Sequence, residues 1–73
     1  MKYYAIREKN TRRFVAGTDF SRADGRPRQI FASPLRPPLL LTGEHLGFEL
    51  SRRCINMARF EVVVVEVREA VEK

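Results

Sequence analysis

Hydrophobic and polar positions alternate at the start of the chain. Tyr4 and Ile6 fall on one face and Tyr3 and Ala5 on the other, the two-residue period of a strand in a segment rich in β-formers. Residues 8–11 interrupt the period with polar side chains, and Asn10, which tolerates a left-handed backbone, marks a hairpin tip. Phe14 and Ala16 resume the alternation, and Gly17 ends or bulges this second strand. The next stretch, SRADGRPR, is loop by chemistry: Asp24-Gly25 is a turn pair and Pro27 holds Arg26 extended. QIFA, residues 29–32, is a short third strand. SPLRPP then sets three prolines within six residues, an extended connector, and Leu39, Leu40 and Leu41 dock it on the core.

Helical spacing replaces strand spacing after residue 41. Leu46, Leu50, Cys54 and Met57 recur on one stripe, with Glu49, Arg52 and Arg53 on the polar side. Thr42 is the expected N-cap, Glu44 suits the positive end of the helix dipole, and Asn56 is the expected C-terminal stop. The chain closes on RFEVVVVEVRE, where Phe60, Val62 and Val64 face one way and Val63, Val65 and Val67 the other. Apolar residues on both faces predict a central strand, roofed on one side by the Leu46/Leu50/Cys54 stripe. The expected fold is α+β: a small, mostly antiparallel sheet of three to four strands, one helix packed on a face, in the order β-β-β-α-β.

A chain of 73 residues has room for one domain, residues 1–73, and one modest core. With a single cysteine, Cys54, and a single histidine, His45, an internal disulfide and the common Cys/His zinc sites are excluded, so no metal or cofactor is expected. No apolar run approaches the length of a signal peptide or a membrane span, which points to a cytoplasmic setting. The net charge of +5 is uneven: residues 1–36 hold nine bases against three acids, and the remainder is slightly acidic. Such asymmetry suits an acidic partner, protein or nucleic acid, although solvated side chains give the same count.

Catalytic constellations are missing from the sequence. His45 and Glu49 share a helix face but have no third member, and Cys54, on the apolar stripe, reads as a small buried hydrophobe rather than a nucleophile. The glycines form no phosphate-binding fingerprint, and no zinc-finger, RNP or helix-turn-helix signature appears. The function expected is non-enzymatic: an interaction module binding a protein partner or itself through the basic loop and proline-rich connector, with Arg22, Arg26, Arg28 and Arg36 as contacts. The alternative is a nucleic-acid binder using Lys9, Arg12 and Arg13 at the hairpin tip, with Tyr3, Tyr4, Phe14, Phe20 and Phe31 as stacking surfaces.

The opening YYAIREKNTRRFVAGTDF, the RPPLL connector and the ending RRCINMARFEVVVVEV, taken in order, resemble small uncharacterised proteins encoded by phages and prophages of Gram-positive bacteria. The similarity runs over nearly the whole chain and carries no activity onto named residues. It implies a compact accessory protein that binds a host or phage factor.

Overall fold

In a computed structural model, which describes residues 2–21 and 25–66, the chain forms four strands and one helix. These are β1 (Lys2–Glu8), β2 (Val15–Asp19), β3 (Arg28–Phe31), α1 (Gly43–Arg52) and β4 (Phe60–Glu66). The architecture is α+β, with antiparallel pairs β1-β4 and β2-β3 forming two small sheets rather than one. β1 and β4 match along their full length, from Lys2 opposite Glu66 to Glu8 opposite Phe60. β2 meets β3 from Val15 opposite Phe31 to Asp19 opposite Arg28. The register slips between Val15 and Gly17, a bulge that bends the strand where the sequence places its glycine.

The greasy connector stitches the two sheets together. The Tyr4 and Leu41 backbones exchange hydrogen bonds of 2.7 and 2.8 Å, and the Leu39 N–H donates to the Val15 carbonyl at 2.9 Å. Extended chain alternates its side chains, so Leu41 is buried and Leu39 half-buried while Leu40 turns to solvent. β1 is thereby the interior strand. It has β4 on one edge and Leu41 and Phe14 on the other.

The valine run corrects the sequence reading. β4 is not central: among the described residues it pairs with β1 alone, and Val64 is 56 % exposed. Phe60 carries the strand's contribution to the core, which joins Ile6, Val15, Leu41 and Phe60 with Phe31, Leu39, Leu46, Leu50 and Ile55 packed around them.

The helix also stops earlier than its stripe suggests. Leu46 and Leu50 pack on the core, but α1 ends at Arg52 and both Cys54 and Met57 are exposed. Cys54 takes the left-handed conformation, φ 52°, in place of Asn56. The Cys54 N–H donates to the Ser51 carbonyl and the Ile55 N–H to the Leu50 carbonyl, closing a Schellman motif in which Leu50 and Ile55 both pack against the core. Thr42 stands at the N-cap as expected, without a side-chain capping bond. In the β1-β2 hairpin the left-handed residue is Arg12, φ 61°, not Asn10: the Arg12 N–H returns to the Glu8 carbonyl, and the Glu8 N–H donates to Arg13.

Candidate functional site

The ends of β3 and β4 converge beside the last turn of α1 and enclose a cleft of about 650 Å³. That volume lies within the range of small-ligand sites. Arg13 enters from the hairpin, Arg26 and Pro27 from the loop before β3, Arg28, Gln29 and Phe31 from β3, Cys54 and Asn56 from the turn after α1, and Arg59 and Phe60 from the start of β4. The Phe31 and Phe60 rings stack with centroids 6.3 Å apart at the base.

Two guanidinium groups lie over this aromatic base. Arg13 sits 3.9 Å from the Phe31 centroid and Arg59 5.4 Å from that of Phe60, where the ring quadrupole attracts a cation. Glu8 supplies their counter-charge. Its carboxylate accepts from Arg59 Nε at 2.6 Å and stands 3.7 Å from Arg13 Nη2. Thr11 Oγ1 donates to the same carboxylate at 2.6 Å; that bond, with the arginines, holds the Glu8 carboxyl below the usual range against the opposing pull of burial.

One wall is fixed by a polar network. Arg53 is 8 % exposed, with Nη1 donating to Thr18 Oγ1 at 2.9 Å and Nε to Glu49 at 3.2 Å. Thr18 donates to the Gln29 side-chain oxygen at 2.7 Å, and Gln29 Nε2 donates to the Arg53 carbonyl at 2.8 Å. The end of α1 is thus tied to both strands of the second sheet, which fixes where Cys54 and Asn56 stand. Glu49 also accepts from Arg52, and that bond, followed by the charge of Arg53, lowers its carboxyl although desolvation opposes it.

Arginine forks of this kind take carboxylate or phosphate oxygens in pairs. Of the expected contacts, Arg26 and Arg28 line the cleft, while Arg22 lies outside the described residues. Arg36 is elsewhere, in the turn where Ser33 and Arg36 exchange backbone bonds. Arg13 lines the cleft, and its neighbours at the hairpin tip, Lys9 and Arg12, do not. The rings of Tyr3, Tyr4, Phe14 and Phe20 are not in it either. Arg59, absent from the sequence-level candidates, becomes visible only once the register sets Glu8 opposite Phe60.

His45 is exposed on α1, and its helix-face neighbour Glu49 is committed to Arg52 and Arg53. Among the described residues, no three histidine, cysteine or acidic side chains gather as metal ligands, and no helix is long and apolar enough to cross a membrane. Compared with known protein families, curated proteins and solved structures, the chain matches none.

Proposed function

We propose that this protein is a non-enzymatic interaction module of phage or prophage type whose arginine cleft binds an acidic segment of a partner protein. The observation carrying this reading is convergence: Arg13, Arg26, Arg28 and Arg59, from three separate stretches of chain, meet around one cleft. Glu8 offsets part of this positive charge, and an anionic ligand relieves the repulsion that remains. The cleft's compactness favours a few carboxylates over a long polyanion. Lys9 and Arg12 do not extend it into a basic track, and Phe60, 4 % exposed, has no free face on which a base could stack.

A second reading, single-stranded nucleic acid, is favoured by the Arg13 guanidinium 3.9 Å over the Phe31 ring, since bases stack on guanidinium planes as well as on rings. Titration of a labelled glutamate-rich peptide and a labelled oligonucleotide, each at low and high salt, separates the two. The peptide is expected to bind, and Arg28→Glu, which reverses an exposed charge, to weaken it about tenfold or more, the loss of one charge-assisted pair. An oligonucleotide that binds while the peptide does not, with a log–log salt slope of about −0.7 per phosphate, establishes the second reading instead. Binding of neither removes both.

A further inference from the structure

The ladder to β1 uses only one edge of β4. Lys9 N–H donates to the Arg59 carbonyl, and this bond, with the β1-β4 register, sets the alternation. Glu61, Val63 and Val65 turn their backbone groups toward β1, whereas Phe60, Val62, Val64 and Glu66 turn theirs outward. The Tyr4 backbone agrees, pointing away from β4 to Leu41. Of the outward groups, the Phe60 N–H is taken by the Asn56 carbonyl at 2.8 Å, and none of the described residues bonds the N–H or C=O of Val62 or Val64. The middle of this edge is undefended: β4 holds no proline, lysine or bulge, and Val62 to Val65, between its two glutamates, carry no charge to oppose strand addition.

We propose that the open edge of β4 pairs antiparallel with the same edge of a second copy of this chain, on a two-fold axis through Val63. N–H and C=O groups spaced along an open strand edge can exchange water for the backbone of another extended strand. The symmetry then selects the register. A two-fold axis normal to the sheet keeps the core face of one copy continuous with that of the other, so residues that pair must share parity in the alternation.

Centred on Val63, the two strands match over their whole length: Val62 opposes Val64, Glu61 opposes Val65 and Phe60 opposes Glu66. Backbone bonds then run between the Val62 and Val64 groups left open within each copy. The arrangement that would set Glu61 against Glu66, like charges face to face, has the wrong parity and is unavailable. Centring on Val62 would draw in Ala58 and Arg59, which are held in a turn on the Asn56 side chain and carbonyl; centring on Val64 would leave the Phe60 carbonyl open. One strand pair buries little area, so the dimer is weak and depends on concentration.

Sedimentation velocity over a concentration series tests this on the full chain. The wild type is expected to shift from monomer toward dimer. Val64→Pro removes only an outward N–H and is expected to stay monomeric with an unchanged circular dichroism spectrum. Val63→Pro removes a ladder donor to β1 and is expected to unfold. If Val64→Pro proves unstable, Val64→Lys places a charge on the edge without touching the backbone, and it too is expected to be monomeric.

In a Cys54→Ser background, Val63→Cys is expected to form a disulfide dimer on oxidation, because its symmetry mate is a non-hydrogen-bonded neighbour about 4.5 Å away. Val62→Cys, opposite Val64, is expected not to. A wild type monomeric at every concentration, a Val64→Lys variant that dimerises as the wild type does, or cross-linking through residue 62 and not 63 overturns the proposal.

Discussion

Cys54 occupies a backbone conformation in which its Cβ crowds the following carbonyl, a cost of about 1–2 kcal/mol for an L-residue that glycine does not bear. Its side chain offers no evident compensation, being exposed and neither disulfide-bonded nor in the core. Cys54→Gly is therefore expected to stabilise the protein by about 1 kcal/mol, a rise of roughly 4–8 °C in Tm for a domain of this size. Thermal denaturation under reducing conditions measures it. Cys54→Ala, which keeps the Cβ, is the control and should change little. The sequence pointed to Asn56 because asparagine is the commonest non-glycine residue in that conformation. What stops the helix sooner is tertiary: Gln29 seizes the Arg53 carbonyl and Thr18 the Arg53 side chain, bonds that no local pattern announces.

Among the elements, α1 carries the clearest internal weakness. Gly47 lies in mid-helix, exposed, and a Cβ built on it meets nothing within 4 Å. Gly47→Ala is expected to stabilise by about 1 kcal/mol, the ordinary helix-propensity gain, read from urea denaturation midpoints. Gly43→Ala is expected to gain less or to lose, because its Cβ would stand 3.2 Å from Tyr4 Cε2 where the helix start lies against β1. The strands, the helix and their order were legible in period and turn chemistry, including the Gly17 bulge and the docking leucines. The pairing was not. A run apolar on both faces ordinarily marks an interior strand, yet here interior position went to β1, whose neighbours come from a hairpin, a connector and a strand some sixty residues away. The cleft shared that fate: its arginines were visible singly, and their meeting depends on the β1-β4 register that brings Arg59 to Glu8.

Across the whole molecule, two carboxylates hold separate parts together. Glu8 of β1 binds Thr11 of the hairpin and Arg59 beside β4, while Glu49 of α1 holds Arg52 and the buried Arg53 that reaches Thr18 of β2. Both carboxyls sit below their ordinary range in the folded state, so the unfolded chain binds protons more readily. Their contribution is complete above the unfolded value of about 4.3 and disappears as pH falls through the depressed folded values. Urea midpoints across the acid range are expected to fall below about pH 4, and Glu8→Gln to lower the neutral-pH midpoint while flattening that decline. The same Lys2-to-Glu66 ladder dictates the timetable of synthesis. β1 leaves the ribosome first, but the strand that completes its sheet emerges only after the hairpin, connector and helix have been made. Until then β1 stands half-paired beside a nascent chain, and closure of the long β1-β4 loop, the slow event in a topology of distant contacts, must wait for the valines.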